Sequence, residues 1–328
     1  MGFPMHASIT ADDIKQTILA LPEMAAWPEI AALFLKAQAN KAVRLDWQLP
    51  ALASRAVGGA EAVALPAVGA IACLQISIIL IDDMLDQDPR GTYHRLGVGR
   101  TANLALAFQA AALRLIGQGA ASPEAKAAAG AALSAVALAT AFGQDLDVQN
   151  LRGEEDYWRV VRAKSTPFYG GALQVGALLG GAGLPVAQGL YDFGVVLGEM
   201  IQIFDDLVDA FEAPANPDWG EGRNNLAILY ARTADHDKRA EFLQVAPGAD
   251  DPRVLQDAQQ LLISSGAVSY CVYQQLQRFR TGRAILDRLD LADPAPMSEL
   301  LRNQVDPLTR WLQDIGAADP EQIARMIA

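Results

Sequence analysis

Residues 78–86 read IILIDDMLD, and this stretch decides the fold. A charge-free apolar run ends abruptly in three aspartates, Asp82, Asp83 and Asp86, at the spacing i, i+1 and i+4. If the run is helical, Asp82 and Asp86 lie one turn apart on the same face, with Asp83 beside them. The pattern therefore predicts an apolar helix whose end carries clustered carboxylates.

The same pattern returns at residues 203–209, which read IFDDLVD. Here Asp205, Asp206 and Asp209 follow a second apolar segment. Carboxylates clustered at the ends of two apolar helices repel one another unless cations lie between them. Mg²⁺ is bound through oxygen and typically uses one or two carboxylates together with water and substrate phosphate. The two motifs therefore predict a diphosphate held by Mg²⁺ above an apolar shaft.

The composition favours packed helices over a sheet sandwich. The chain has 328 residues, of which 52% are hydrophobic and only 7% aromatic, so the core is expected to consist of Ala, Leu, Val and Ile. The formal net charge is −12, without a long basic run, which argues against a nucleic-acid partner. Cys73 and Cys271 lie in apolar contexts without metal-ligand spacing, so core packing is expected and a disulfide stays open.

Two charge-free stretches, residues 62–81 and 165–191, reach the length of a transmembrane helix. The first contains the polar residues Gln75 and Ser77, and glycines break the second. Helices buried on all sides of a large bundle have the same composition, so we expect burial and no transmembrane segment. The N-terminus lacks the build of a signal peptide, and the predicted location is the cytoplasm.

Helix start and stop signals divide most of the chain into helices, and strand-like alternation is scarce. The signals predict a further helix from about Arg223, and long helices over about residues 99–118, 123–149, 153–181 and 185–212. No change of composition marks a domain boundary. We therefore predict an all-α protein in which residues 1–328 form a single large helical bundle.

Further motifs surround the two acidic segments. They are the GQDLD of residues 143–147, Tyr157, Lys164-Ser165-Thr166, Gln202 and the DWGEGR of residues 218–223. With these motifs in this order, the chain from about Arg44 to Leu226 resembles the trans-isoprenyl diphosphate synthases, or polyprenyl synthetases.

The resemblance implies an all-helical homodimer of the isoprenoid synthase type with a deep central cavity. It implies that the six motif aspartates bind three Mg²⁺ ions on an allylic prenyl diphosphate. The resemblance assigns catalytic roles to Lys164 and Gln202. It assigns cationic contacts with the allylic diphosphate to Arg90, Lys164 and Arg223. In this family metals and cations stabilise the departing diphosphate, and the double bond of isopentenyl diphosphate attacks the allylic carbocation.

The chain departs from the family in the segment that grips isopentenyl diphosphate. Where the family has Gly-Gly-Lys-Arg-x-Arg-Pro, residues 41–47 read KAVRLDW. Only Arg44 is retained, while Val43 replaces the lysine and Asp46 replaces the second arginine. Gln75 stands where many members have His. The resemblance therefore assigns Arg44 and Gln75 to a depleted isopentenyl diphosphate site.

Side chains about one turn before Asp82 limit product length in this family, because a bulky residue there closes the shaft. In this chain those residues are Ser77 and Ile78, with Leu74 one turn deeper. Each helical turn adds about 5.4 Å of depth. The small Ser77 therefore predicts a product of geranylgeranyl length or longer.

Together these features predict a Mg²⁺-dependent prenyltransferase that ionises an allylic prenyl diphosphate and condenses it with isopentenyl diphosphate. Two alternatives stay open: a class I terpene synthase that acts on the allylic diphosphate without isopentenyl diphosphate, and a prenyltransferase with an unusual acceptor such as a peptide or an aromatic compound. A third alternative is a non-catalytic partner subunit of a heteromeric synthase, but two intact aspartate motifs argue against that role.

Overall fold

The computed structural model describes residues 9–31, 33, 45–149, 151–220 and 224–315. Within these ranges the chain forms helices and turns without strands, which confirms the all-α prediction. The helices are α1 Ala11–Leu19, α2 Pro22–Ala25, α3 Leu45–Ala56, α4 Leu65–Leu85, α5 Tyr93–Leu96, α6 Val98–Gln118, α7 Pro123–Val148, α8 Glu154–Lys164, α9 Thr166–Leu179, α10 Leu184–Phe211, α11 Leu226–Thr233, α12 Arg239–Val245, α13 Pro252–Ser264, α14 Ala267–Leu286, α15 Ala295–Arg302 and α16 Asp306–Asp314.

The chain divides into two compact units, each built from three separate segments. Unit 1 comprises Met1–Ala141, Pro167–Val195 and Ile285–Ser298, and unit 2 comprises Phe142–Thr166, Val196–Ala284 and Glu299–Ala328. The first aspartate motif belongs to unit 1 and the second to unit 2. The prediction of a single domain over residues 1–328 stays a prediction.

Helix α4 carries the first motif and packs against α1, α3 and α6. Its residues 67–75 are buried without exception. Pro66 occupies the first turn, where its missing N–H leaves no intrahelical bond unmade. After Asp86 the chain turns at Gln87, which has a φ of 54° in the left-handed region typical of helix ends. The aspartates therefore stand at the end of a helix that hydrophobic burial holds in place.

In unit 2, the second half of α10 packs one face into an apolar core. Ile203 and Leu207 are fully buried, together with side chains from α8, α11, α14 and α16. Asp205 is exposed and Asp209 is partly buried. Ile203 and Leu207 lie one turn apart on one face of the helix, and Asp205 and Asp209 lie one turn apart on another face. Burial of the apolar face therefore directs Asp205 and Asp209 away from the core.

Two predicted helices differ from the structure. The expected helix over residues 153–181 is two helices, α8 and α9, because Pro167 lacks the N–H that would bond to the carbonyl of Ala163. The helix predicted from about Arg223 begins at Leu226, because Asn225 caps its N-terminus. The first difference makes Lys164 the last residue of α8.

Two of the described helices, α4 and α7, are long and apolar enough to cross a membrane by length and composition alone. In α4, 61% of the apolar window is buried inside the protein, as in the core helices of many proteins, whereas in α7 only 22% is buried. The second charge-free stretch, residues 165–191, is divided between α9 and α10. These features are weak grounds for a membrane-spanning segment.

Candidate active site

The first aspartate motif lies at the C-terminal end of α4. Asp82, Asp83 and Asp86 are each partly buried, and Asp86 caps the helix. Burial raises the pKa of Asp83, and the charges of Asp88 and Asp82 raise it further. Closely spaced carboxylates that disfavour one another's ionisation form a site suited to a hard cation bound through oxygen.

Arg90, the predicted contact to the allylic diphosphate, forms a two-point ion pair with Asp88. Its Nε lies 3.1 Å from Oδ1 of Asp88, and its Nη2 lies 2.8 Å from Oδ2. The hydrogen bonds from Arg90 hold the pKa of Asp88 at about 2. Since 89% of the Arg90 side chain is exposed, exchanging this partner for a substrate oxyanion would require little desolvation.

The second aspartate motif is anchored at its middle residue. Asp206 is only 2% exposed, and three donors reach its carboxylate: the hydroxyl of Tyr157 at 2.7 Å, the amide of Gln202 at 2.9 Å and the backbone N–H of Leu226 at 2.8 Å. Burial nevertheless raises the pKa of Asp206 to about 7. The donors compensate for part of the desolvation of this carboxylate.

Asp205 and Asp209 are more accessible than Asp206, but their ionisation is also disfavoured. Asp205 keeps an exposed face, yet the protein around it displaces enough water to raise its pKa to about 6, and the charge of Asp209 adds to the shift. For Asp209, burial and the charges of Asp218 and Glu212 raise the pKa to about 6. A bound cation would reverse these shifts.

The two residues with predicted catalytic roles are connected through Ser165. Lys164 forms an ion pair with Asp147, with Nζ 2.6 Å from Oδ2 and 22% of the lysine side chain exposed. The adjacent Ser165 donates its hydroxyl to Oε1 of Gln202 at 3.0 Å, and Gln202 donates its amide to Asp206. The end of α8 is therefore joined by hydrogen bonds to the second motif.

A glycine allows α7 to approach α8 at Lys164. A Cβ built on Gly143 would lie 2.3 Å from the backbone N of Lys164 and 2.3 Å from the carbonyl carbon of Ala163. Side chains other than hydrogen do not fit at such distances. The close approach brings the last turn of α7, which carries Asp147, beside Lys164.

Gln75, assigned by resemblance to the isopentenyl diphosphate site, is 8% exposed and bonded to α3. Its Oε1 accepts a hydrogen bond of 2.5 Å from Nε1 of Trp47, and its Nε2 donates to the carboxylate of Asp46. Asp46 thus binds the amide of Gln75 at the position where the family has an arginine. This part of unit 1 carries a hydrogen-bonded chain of indole, amide and carboxylate, in which Trp47 and Gln75 are buried and Asp46 is partly buried.

The predicted chain-length residues lie on α4 below the first motif. Ser77 is 6% exposed, Leu74 is 1% exposed, and Ile78 is partly buried. Leu74 also lines an apolar cavity of about 210 Å³ in unit 1, whose other walls are formed by α6 and α7. The remaining lining residues are Gln109, Ala112, Leu113, Leu133, Ser134, Ala137, Leu138 and Ala141.

Two buried polar residues near the second motif were missed by the sequence analysis. Asn225 is fully buried at the start of α11, and an Asn directly before an apolar run is a cap signal that could have found it. Glu199, 7% exposed, accepts hydrogen bonds from Arg162 at 2.7 Å and Arg278 at 2.8 Å. Its partners lie 37 and 79 residues away, so no local pattern indicates this cluster.

Two predicted site residues, Arg44 and Arg223, lie outside the residues that the structure describes. Among the described residues, no three His, Cys, Asp or Glu side chains are grouped so that they could hold a metal ion by themselves. Mg²⁺ usually completes its coordination with water and substrate phosphate rather than with a cage of protein ligands.

Comparisons with known proteins give one consistent family. The family model for polyprenyl synthetases matches residues 41–262, well over half of the chain. The short chain isoprenyl diphosphate synthase of Methanothermobacter thermautotrophicus is 28% identical over 263 residues, which is 75% of this chain and 80% of the relative. The geranylfarnesyl diphosphate synthase of Aeropyrum pernix is 28% identical over 290 residues, covering 80% of this chain and 88% of the relative.

Solved structures show the same fold. The geranylgeranyl pyrophosphate synthase of Corynebacterium glutamicum, complexed with calcium and isoprenyl diphosphate, has a TM-score of 0.75 at 21% identity, with 93% of this chain and 98% of that chain covered. The geranylgeranyl pyrophosphate synthetase of Pyrococcus horikoshii has a TM-score of 0.75 at 19% identity, with 90% and 94% covered. The chain therefore belongs to the polyprenyl synthetase family and is a transferase of the prenyl diphosphate synthase type.

Proposed function

We propose that this chain is a Mg²⁺-dependent prenyl diphosphate synthase, which ionises an allylic prenyl diphosphate and condenses it with isopentenyl diphosphate. The observation that carries the proposal is that the same arrangement occurs twice. Each Asp-Asp-x-x-Asp motif lies at the C-terminal end of an apolar helix, and at least two of its three aspartates are partly or fully exposed. The relatives' reactions support the same chemistry.

The carboxylates of both motifs fit Mg²⁺. They are oxygen donors, which Mg²⁺ prefers, and burial together with neighbouring carboxylates raises the pKa values of Asp83, Asp205 and Asp209, a cost that a bound cation would offset. We assign Mg²⁺ binding to Asp82, Asp83 and Asp86 in the first motif and to the second motif, with three ions as the proposed number. When bound, the metal stabilises the negative charge of the departing diphosphate.

Basic side chains complete the proposed allylic site. Lys164 is held at the C-terminal end of α8, where the helix dipole favours a cation, and it would contact the diphosphate as negative charge develops. Arg90 would exchange Asp88 for substrate oxygen, and Arg223 is kept as a third contact. Hydrogen bonds to Ser165 and Asp206 hold the Gln202 amide in one orientation, and Gln202 would line the region where the carbons react.

One observation favours a second candidate function, in which the allylic diphosphate reacts without isopentenyl diphosphate. Asp46 introduces a carboxylate where a second diphosphate would need a cation, and the same carboxylate already binds Gln75. Replacing an arginine contact by a carboxylate removes a charge-assisted hydrogen bond of roughly 1.5–3 kcal/mol and adds repulsion. A terpene synthase, or a transferase with an uncharged acceptor, would tolerate this change.

The proposed product is of geranylgeranyl length or longer. Ser77 presents a small side chain below the first motif. Leu74 lies eight residues before Asp82, or about 12 Å deeper along the helix at 1.5 Å per residue. Because Leu74 borders a cavity of about 210 Å³, we propose that this leucine is the side chain that a growing prenyl chain reaches before entering that cavity.

We also propose that the chain forms a homodimer in the cytoplasm. On unit 1, helices α6 and α7 expose the large apolar side chains Val98, Leu106, Leu113 and Leu138, of which Leu138 is 75% exposed. The three on α6 recur at intervals of eight and seven residues and so share one face. An apolar surface of this kind is typical of subunit interfaces. Sedimentation of the purified protein tests this proposal, and a monomer at micromolar concentration would contradict it.

A product assay distinguishes the candidate functions. Purified protein with Mg²⁺ is incubated with geranyl, farnesyl or geranylgeranyl diphosphate, each with and without isopentenyl diphosphate, and both hydrocarbons and dephosphorylated alcohols are identified by mass. Longer prenyl alcohols that form only with isopentenyl diphosphate are expected. Hydrocarbons or terpene alcohols formed without it would favour the second candidate, and no turnover of any substrate would contradict both.

A matched set of variants tests the metal sites. Asp82→Ala and Asp205→Asn should each reduce kcat/KM by on the order of 100-fold or more, because charge stabilisation of the leaving group is lost. Asp257→Asn is the control, since Asp257 is an exposed carboxylate on α13, away from both motifs in sequence. Full activity of Asp82→Ala with Mg²⁺ present would exclude the proposed role of the first motif.

A further inference from the structure

Asn225 connects the start of α11 to the second aspartate motif. The residue is 0% exposed, and the two polar atoms of its side chain, Oδ1 and Nδ2, have different partners. Oδ1 accepts hydrogen bonds from the backbone N–H groups of Ala227 at 3.1 Å and Ile228 at 3.3 Å, which caps α11. Nδ2 donates to the backbone carbonyl of Asp206 at 2.7 Å and to the carboxylate of Asp218 at 3.1 Å. The amide therefore serves two separate purposes.

The carboxylate of Asp218 is held beside the second motif by a docked turn. The 3₁₀ turn Pro217–Trp219 is bonded to the end of α10 through Nε1 of Trp219, which donates to the carbonyl of Ala210 at 3.2 Å. Arg232 of α11 donates to the carbonyl of Trp219 at 3.1 Å. The charge of Asp218 acts on both Asp206 and Asp209, so its position matters for the motif.

The residue after Asn225 is also bonded to the second motif. The next residue, Leu226, donates its backbone N–H to Oδ2 of Asp206 at 2.8 Å. If the Asn225 amide released the carbonyl of Asp206, the N-terminus of α11 would lose one of its two attachments to that residue. A side chain that only caps the helix would not restore this attachment, because the capping atom, Oδ1 of Asn225, accepts only from N–H groups of α11.

We propose that Asn225 is a positioning residue of the second aspartate motif, whose amide donor orients Asp206 and Asp218 so that Asp205 and Asp209 present oxygens to a divalent cation. The inference rests on the proposed function, since it concerns the metal site of that function. Residues that orient the ligands of a metal typically change metal affinity by 10–100-fold when they are replaced. The capping role of Asn225 is structural and separable from this one.

Two substitutions separate the roles. Asn225→Thr keeps a side-chain oxygen that can cap α11 but removes the amide donors. Asn225→Ala removes both the cap and the donors. Asp251→Ala is the control for lost stability, because Asp251 caps α13 in the same unit by accepting from the N–H groups of Arg253 and Val254. Asn225→Ser replaces Asn225→Thr should the threonine not fit the buried site.

The experiment measures Mn²⁺ binding to the full chain without substrate, by calorimetry, together with the thermal midpoint of each variant. Asn225→Thr and Asn225→Ala should both weaken Mn²⁺ binding by about tenfold or more, while Asn225→Ala loses the additional thermal stability of the cap. Asp251→Ala should lower the thermal midpoint and leave Mn²⁺ affinity unchanged. In turnover, Asn225→Thr should raise the Mg²⁺ concentration needed for half-maximal rate.

Parent-like Mn²⁺ affinity in Asn225→Thr would overturn the positioning role and leave Asn225 as a helix cap. Metal affinity that follows the thermal midpoint across all variants, Asp251→Ala included, would overturn it as well. A parent protein that turns over substrate but is insensitive to both Mn²⁺ and chelators would overturn the metal site of the proposed function together with this inference. The two failures are therefore distinguishable.

Discussion

Tyr157 donates its hydroxyl to the carboxylate of Asp206 across 2.7 Å, and both side chains are buried. The pair joins α8, which ends in Lys164, to the helix that carries the second aspartate motif. Burial raises the pKa of Tyr157 well above its usual range, and Asp206 adds to the shift, so the tyrosine acts as a hydrogen-bond donor.

We expect Tyr157→Phe to destabilise the fold by about 1–3 kcal/mol, because a buried carboxylate loses one of its donors. Urea unfolding measures this change. Tyr273→Phe is the matched control: Tyr273 is 54% exposed, and its loss should cost less than about 0.5 kcal/mol. Equal midpoints for the two variants would show that the hydroxyl of Tyr157 contributes nothing to Asp206.

The free energy of unfolding of the metal-free protein should fall as the pH rises. In the folded protein the pKa values of Asp205, Asp206 and Asp209 are about 6, about 7 and about 6, against about 3.9 for an unfolded aspartate. The folded state thus binds these protons more tightly, and their stabilising contribution is present below about pH 4 and lost as the pH rises through about 6 to 7.

Mg²⁺ should reverse this trend, because it binds the ionised carboxylates. The thermal midpoint should therefore increase more on adding Mg²⁺ at about pH 8 than at about pH 5. Thermal scans over this range, with and without Mg²⁺, provide the measurement. Asp205→Asn should flatten the metal-free curve, whereas an equal Mg²⁺ effect at both pH values would contradict the prediction.

Gly143→Ala should displace α8 from α7 and reduce activity through Lys164. The added Cβ would lie 2.3 Å from the backbone of Lys164, and overpacking of this kind costs about 1–3 kcal/mol. Gly130→Ala in the same helix is the control: a Cβ there meets nothing within 4 Å and should be neutral or stabilise by up to about 1 kcal/mol. Denaturation curves and kcat/KM compare the two, and similar losses would contradict the close-approach argument.

Leu74→Ala should shift the product distribution towards longer chains by opening the shaft to the cavity that Leu74 borders. Cys73→Ala is the control, because Cys73 is equally buried but does not line that cavity. Both variants should lose stability, about 2–5 kcal/mol for the leucine, whereas only Leu74→Ala should lengthen the product. Mass analysis of the dephosphorylated alcohols provides the comparison, and unchanged product length in Leu74→Ala would exclude the leucine as a barrier.

Glu199→Ala should be among the more destabilising single changes in unit 2. Glu199 binds both Arg162 and Arg278. The side chain of Arg278 is only 12% exposed, and its Cζ lies 3.9 Å from the ring centroid of Trp158. Removing the carboxylate leaves a buried charge without its partner, which costs about 3–5 kcal/mol.

The control for Glu199→Ala is Arg55→Ala, which breaks an exposed ion pair with Asp293 and should cost at most about 1 kcal/mol. Chemical denaturation of both variants gives the two values. A loss below that of Arg55→Ala would show that Glu199 does not stabilise the buried arginine.

Local patterns predicted most of the fold. The charge-free run before Asp82 and its counterpart before Asp205 indicated helices, and both are helical. Of the two differences, the break within residues 153–181 occurs beside Pro167, which the prediction of one continuous helix did not take into account. Hydrophobic periodicity identifies the apolar face of a helix, but it contains no information on the single backbone hydrogen bond that a proline removes.

The candidate site was predicted less completely than the fold. The aspartates, Lys164 and Gln202 were proposed from spacing and resemblance and stay predictions, whereas the contacts of Asn225 and Glu199 depend on partners distant in sequence. Gln75 was assigned to substrate by resemblance, and its bonds to Trp47 and Asp46 emerge only when α3 packs beside α4.

The sequence by itself determined that the protein is helical and that each motif places three carboxylates at i, i+1 and i+4 on a helix. These properties follow from helical periodicity and the amount of apolar surface, which are local. Only the tertiary structure decided that Asp206 is buried and bonded while Asp205 and Asp209 stay accessible. The reason is physical: two of the three hydrogen-bond donors to Asp206, Tyr157 and Leu226, come from α8 and α11, and no spacing within the motif specifies them.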